Sequence, residues 1–224
     1  MKKMQHRSRA TSRLTIGLLT AGLLAAFSGV ARAQIGSGWT QYKPNSEIQI
    51  EVHDKYIAYP ANTTSINNGG VRYSNSGGVE TYQLVNPTSN RVERRWLDDY
   101  GDRRQFQCDV MVSAGNNEKI TQIFGGSNPH GPYILVGEYT ANGGSITIPG
   151  NSHSLTVTGI FGKWVRMNTV HDKAKNITAV YINGRAIYTS GWGKSQTYYT
   201  KYGCYGTLST PSAKIQFKNV KMFK

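Results

Sequence analysis

Three short segments carry side chains whose types and spacing suit chemistry on an anion. The first is Arg91-Val92-Glu93-Arg94-Arg95. In an extended strand successive side chains alternate faces, so Arg91, Glu93 and Arg95 share one. A carboxylate between two guanidiniums can hold one in place while the other presents its donor fork to an anion. The plain alternative is an exposed salt-bridged edge, worth about 0–1 kcal/mol. The second segment is Gln122-Ile123-Phe124-Gly125. Gln122 and Phe124 share a face, where a ring can stack on a sugar while an amide bonds a hydroxyl or carboxylate; an ordinary strand with one polar residue is the alternative. The third is Tyr199-Thr200-Lys201-Tyr202-Gly203-Cys204-Tyr205-Gly206. Here Tyr199, Lys201, Gly203 and Tyr205 fall on one face, with Gly203 leaving room for something to lie across the strand. Tyr202 and Cys204 point the other way, toward a core.

Strands must position these groups, and the rest of the chain supplies strands. Ile48, Ile50 and Val52 alternate with polar neighbours, as do Phe106, Cys108 and Val110, then Leu155 and Val157. Trp164 to Val170 reads as a further strand. Val180-Tyr181-Ile182 runs into Asn183-Gly184 and then Arg185 to Tyr188, a hairpin signal because both turn residues need positive φ. In the last strand, Ala213 to Phe223, the apolar phase slips at Lys218-Asn219, which predicts a β-bulge. Clusters such as Asn67-Asn68-Gly69-Gly70 and Asn75-Ser76-Gly77-Gly78 read as turns. No amphipathic helix, repeat or linker interrupts the pattern. The fold class is all-β, a sandwich or jelly roll.

The N-terminus reads as a secretory signal peptide over residues 1–33. Lys2, Lys3, Arg7, Arg9 and Arg13 precede an apolar run from Leu14 to Val30, and Ala31-Arg32-Ala33 is a cleavage pattern. An uncleaved anchor is the alternative, although the run is short for a span. Cleavage leaves a single domain, residues 34–224, secreted or periplasmic, with no membrane contact and expected to be a monomer. The whole chain carries +14; six of its 26 basic residues and none of its 12 acidic ones lie in the signal, so the remainder carries +8. That surplus suits a polyanion. Export argues against nucleic acid and for an anionic polysaccharide. Cys108 and Cys204 either form one disulfide, which the compartment permits, or stand as two buried thiols. The acids of Asp98-Asp99-Tyr100-Gly101-Asp102 read as a solvated turn, and neither a metal nor a cofactor is expected.

In this order, the three segments resemble the alginate lyases of polysaccharide lyase family seven, with their Arg-x-Glu-x-Arg, Gln-Ile/Val-His and Tyr-x-Lys-x-Gly-x-Tyr-x-Gln strands. The resemblance covers nearly the whole exported part. It is closer still to small secreted jelly-roll proteins that carry Gln-Ile-Phe-Gly as the second motif. It implies a concanavalin-A-like β-jelly roll of two antiparallel sheets, and β-elimination on a uronate: loss of the proton on carbon 5 and expulsion of the oxygen on carbon 4. Arg91 and Gln122 would neutralise the carboxylate so that charge can spread into it. Tyr205 would be the acid, and beside Lys201, Arg91 or Arg95 a base as well. Glu93, Arg95, Phe124, Tyr199 and Lys201 would bind substrate.

Two positions depart from the family pattern. Phe124 stands where the family has its His, and Thr207 where it often has Gln. Either Tyr205 then moves both protons, or His130 or His171 replaces the missing base, or only binding remains. Three functions follow in order: a lyase for alginate or another polyuronate, a non-catalytic carbohydrate-binding protein on the same scaffold, and a glycoside hydrolase. The last needs two carboxylates flanking the bond, of which only Glu93 sits in a motif.

Overall fold

Alternation sets the core. In β2 (Ser46–Val52) the side chains of Ile48, Ile50 and Val52 are buried, and in β8 (Arg103–Ala114) so are Phe106, Cys108 and Val110, as a period of two requires when one sheet face is covered. The computed structural model describes residues 35–224 except 87, 116, 126–130, 140–142, 149–156, 194–196 and 209. The expected signal segment and Leu155 lie outside the described residues.

Two antiparallel sheets pack face to face in a jelly roll, and no α-helix occurs among the described residues. One sheet runs β4 (Ser65–Asn68), β5 (Val71–Ser76), β6 (Val79–Leu84), β17 (Ala213–Phe223), β8, β13 (Val165–Asp172), β14 (Ile177–Ile182) and β15 (Arg185–Ser190). The short β1 (Gln41–Tyr42) pairs with the end of β17. The other runs β3 (Lys55–Pro60), β2, β7 (Ser89–Trp96), β16 (Tyr198–Tyr205), β9 (Lys119–Gly125), β10 (Gly131–Tyr139), β11 (Ser145–Thr147) and β12 (Val157–Thr158). The three chemistry-bearing segments are thus β7, β16 and β9, adjacent strands in one sheet.

Aromatic rings fill the space between the sheets. Tyr82 meets Tyr73, Tyr202 and Phe217 edge-on, with centroids 5.1, 5.8 and 5.5 Å away, within the range aromatic pairs favour. The Asn183-Gly184 hairpin forms with φ of 51° and 80°. The expected bulge near the end of the last strand is present: register against β8 shifts between Lys218 and Lys221, and Asn219 has φ 53°.

The disulfide alternative is corrected. Cys108 and Cys204 are buried thiols. They occupy apolar inward positions on β8 and β16, which belong to different sheets. Burial pushes the Cys108 thiol pKa well up.

One charged cluster lies inside the sandwich. Arg94, on the inward face of β7, donates through Nε to Glu80 at 3.0 Å, through its other nitrogens to Glu80 at 2.5 Å and the Tyr73 hydroxyl at 2.9 Å, and to Ser46 Oγ at 3.0 Å and the Ala61 carbonyl at 3.1 Å. Glu80 also accepts from Tyr73 at 2.7 Å and from Tyr202 at 2.6 Å. Every donor position of the guanidinium is engaged, as a buried ion needs if its desolvation is to be offset.

Candidate functional site

Strand register lays the outward residues of the second sheet in rows. Tyr56 on β3 stands opposite Glu51 on β2, Glu51 opposite Arg91 on β7, and Arg91 opposite Tyr205 on β16. In the next row Gln49 meets Glu93, and Glu93 meets Gly203. In the third, Glu47, Arg95, Lys201 and Gln122 follow one another across four strands. Tyr199 faces Phe124 beyond them. All eight expected residues of the cleft, namely Arg91, Glu93, Arg95, Gln122, Phe124, Tyr199, Lys201 and Tyr205, therefore share one surface.

Glu93 is the centre. It is 1 % exposed, it accepts from the Gln122 amide, and its second oxygen lies 3.4 Å from an Arg91 nitrogen. Burial raises its pKa, while the Lys201 and Arg91 charges and the Gln122 bond pull the other way. Lys201, 4 % exposed, donates to the Tyr56 hydroxyl at 3.1 Å and sits 5.8 Å from the ring centres of Tyr56, Phe124 and Tyr199. Burial brings its pKa down to about 8 against the pull of Glu93, with Arg91 and Arg95 adding to the fall. Arg91 lies over the Tyr205 ring at 4.3 Å and Arg95 over the Tyr199 ring at 4.3 Å, distances at which cation–π attraction operates. Tyr199 and Phe124 stack at 5.2 Å.

Polar valence is left over on this surface. Glu93 Oε2, Arg91 Nε and Arg95 Nε are buried atoms without a hydrogen-bond partner. Such atoms cost free energy unless something completes them.

Three expectations need amending. Gly203 does not open space across the cleft: a Cβ there would come within 2.4 Å of the Val92 carbonyl oxygen and 2.6 Å of the Glu93 Cα. Its φ of 150° belongs to the bulge where β16 slips against β9, so glycine serves the close approach of β7. His171 is not a base for this surface. It is 1 % exposed on β13 of the other sheet, stacked on Trp192 at 3.8 Å, with Nδ1 2.9 Å from the Tyr100 hydroxyl and Nε2 2.8 Å from the Trp192 carbonyl. Burial lowers its pKa to about 4. Lastly, Glu93, expected to bind substrate, is largely enclosed and meets Gln122 and Arg91. His130 lies outside the described residues. No cluster of His, Cys, Asp and Glu among the described residues is placed to hold a metal ion.

Sequence reasoning missed Tyr56, Gln49 and Glu51. Tyr56 donates to Gln49 and accepts from Lys201 and, at 3.3 Å, from Arg91. Glu51 lies 3.4 Å from Arg91 Nε and accepts from Asn90 at 3.0 Å. A signal existed: Glu47, Gln49 and Glu51 alternate on one face, and His53-Asp54, with φ of 49° and 60°, make a two-residue hairpin that returns Tyr56 opposite Glu51.

No protein-family profile matches the chain. A citrate-binding protein from Hevea brasiliensis is 28 % identical over 167 residues, 68 % of each chain. Among solved structures, the alginate lyase AlgAT5 from polysaccharide lyase family 7 superposes with a TM-score of 0.63 at 13 % identity, covering 80 % of this chain and 94 % of that one. An alginate lyase from Corynebacterium sp. gives 0.63 at 12 % identity over the same shares. The alginate lyase AlyC3, solved with dimannuronate, gives 0.58 at 13 %, covering 80 % and 88 %. Identities this low speak for architecture, and the chain has the jelly-roll fold of the family-seven alginate lyases.

Proposed function

We propose that the chain is an exported, monomeric polysaccharide lyase that cleaves alginate or another polyuronate by β-elimination. The observation that carries this reading is the row of cationic side chains Arg91, Arg95 and Lys201 set in one surface with Gln122 and Tyr205. A uronate offers a carboxylate for the guanidiniums and hydroxyls for the Lys201 ammonium. The proton on carbon 5 is very weakly acidic, so the carboxylate must be neutralised before charge can spread into it. Arg91 and Gln122 take that role, with Glu93 fixing both. Tyr205, beneath the Arg91 guanidinium, takes the carbon-5 proton. Tyr199, Phe124, Arg95 and Lys201 hold neighbouring sugars. The dimannuronate held by AlyC3 supports the ligand class. The N-terminal segment supports export to the periplasm or the medium, and neither a cofactor nor a metal is invoked.

A second reading has its own observation. Phe124 stacks on Tyr199 where the resemblance places a base, and a relative is named for binding citrate. Both favour a protein that binds an anionic saccharide or polycarboxylate without chemistry.

One assay separates the two. The purified protein is incubated with alginate, polymannuronate, polyguluronate and glucuronan while the ultraviolet absorbance of the unsaturated uronate is followed. A rise with one polymer, abolished in Tyr205→Phe with binding kept within a few-fold, supports the lyase. Binding without a rise moves the function to the second reading, and neither binding nor a rise removes both.

A further inference from the structure

Two phenols reach Arg91, from strands on either side of it. Tyr205 comes from β16, with its ring centre 4.3 Å from the guanidinium carbon, and Tyr56 from β3, with its ring centre at 5.3 Å. A uronate whose carboxylate pairs with Arg91 therefore meets a phenol from each direction. Tyr56 is about half exposed, at 49 %, so a ligand can touch it. Its oxygen accepts from two cationic side chains, Lys201 at 3.1 Å and Arg91 at 3.3 Å, and its own proton points to the Gln49 amide oxygen.

We propose that Tyr56 is the acid of the cleft, protonating the departing oxygen on carbon 4 while Tyr205 removes the proton on carbon 5. This role rests on the lyase reading. Tyr205 enters as the phenolate. It takes the carbon-5 proton; the electron pair of that bond becomes the double bond between carbons 4 and 5; the bond from carbon 4 to oxygen breaks, and that oxygen receives the Tyr56 proton. Tyr205 is left neutral and Tyr56 a phenolate, and exchange with solvent restores both. No oxidant or further reactant is needed. Burial keeps the Tyr56 phenol protonated beforehand, by raising its pKa against the opposing pull of Arg91. The charge that develops as it gives up its proton falls between two donors already in place, a preorganised arrangement that needs no reorientation. The second proton-transfer group that Phe124 removes from β9 is thus supplied by β3, from a different direction.

The experiment varies the leaving group. Wild type, Tyr56→Phe and Tyr205→Phe are compared on a uronate oligomer and on a uronate bearing 4-nitrophenolate at carbon 4, which departs without a proton. General acid–base groups contribute about 10²–10⁴-fold. Tyr56→Phe is expected to lose that much kcat on the oligomer, to stay within about tenfold of wild type on the nitrophenyl substrate, and to keep oligomer affinity and thermal midpoint. Tyr205→Phe is expected to fail on both substrates. The role is overturned if Tyr56→Phe is as active as wild type on the oligomer, if it loses affinity alone, if it is equally impaired on both substrates, or if Tyr205→Phe is the variant the better leaving group rescues. Absence of turnover by wild type on every polymer is a separate result: it removes the lyase reading and this role with it.

Discussion

Opposite faces of β7 carry two ion clusters made of the same residue types, and they differ in completeness. Inward, Arg94 has a partner at every donor position, and both oxygens of Glu80 accept hydrogen bonds. Outward, Glu93 is as thoroughly buried, yet one of its oxygens has no hydrogen bond, and neither does the Nε of Arg91 or Arg95. Both clusters carry the desolvation cost of buried charge. The inward one recovers it within the protein and serves the fold. The outward one recovers it through longer ion pairs, at 3.4 Å from Arg91 to Glu51 and Glu93, and through the neighbouring Lys201 charge. Closure, rather than burial, is what separates the two clusters.

Deleting one member of each cluster tests that distinction. Arg94→Met removes the cation paired with Glu80 and leaves it only the Tyr73 and Tyr202 hydroxyls, and should cost about 3–5 kcal/mol of unfolding free energy, read by denaturant titration. The folded fraction should keep kcat/KM within a few-fold. Arg91→Met should show the reverse: a smaller loss of stability than Arg94→Met, because Glu93 keeps the Gln122 bond and the Lys201 charge, and kcat/KM on the susceptible polyuronate down by about 10²–10³-fold, the scale of losing one charge-stabilising donor. Two variants with the same loss of stability would erase the comparison.

His171 belongs with the closed groups, since both its ring nitrogens are partnered. Its pKa lies near 4 in the folded chain against 6.5 ordinarily. As pH falls below 6.5 the unfolded chain takes up a proton that the folded chain refuses until about pH 4. Stability is therefore fully present above pH 6.5 and drains away toward pH 4, by on the order of 3 kcal/mol at about 1.4 kcal/mol per unit. His171→Gln should flatten that limb of the stability–pH curve, with turnover at neutral pH little changed.

The β7, β9 and β16 face was legible because alternation is a local rule: once Arg91-x-Glu93-x-Arg95 is a strand, its outward stripe follows, and so does the inward course of Tyr202 and Cys204. The Asn183-Gly184 hairpin and the slip near Asn219 were legible for the same reason, since each depends on a few neighbouring residues. Pairing across distance was not. Nothing near Arg94 announces Glu80 as its partner, fourteen residues upstream on a strand of the other sheet. Tyr56 stands 145 residues from Lys201, and only the order β3-β2-β7-β16 brings them together. The role given to Gly203 failed because an absent side chain reads the same whether it clears a cleft or admits a neighbouring backbone, and only the position of Val92 decides. His171 reads as a structural strand-end residue with a base as the lesser alternative, and Trp192 stacked on it decides for the first.

Lys201 offers the finest test, because it is the member of the open cluster that titrates in an accessible range, whereas the Arg94 pKa is raised by its phenol and carboxylate neighbours. Below about pH 8 Lys201 is charged in both folded and unfolded chains, and its burial cost is fully felt. Between about 8 and the ordinary 10.5 the folded chain gives up that proton first, so stability should rise with pH through this window. Ligand affinity should move the other way. A bound carboxylate favours the ammonium, so binding takes up a proton above about pH 8, and Kd for the polyuronate should weaken by at most about tenfold per pH unit. Calorimetry in two buffers of different ionisation enthalpy reads that uptake directly. Lys201→Met should abolish both slopes, with affinity flat and lower at pH 7. If wild type shows both slopes with the same sign, Lys201 is not the titrating group. If both persist in Lys201→Met, the open cluster has a different titrating member, and the contrast with the closed one must be drawn from that residue instead.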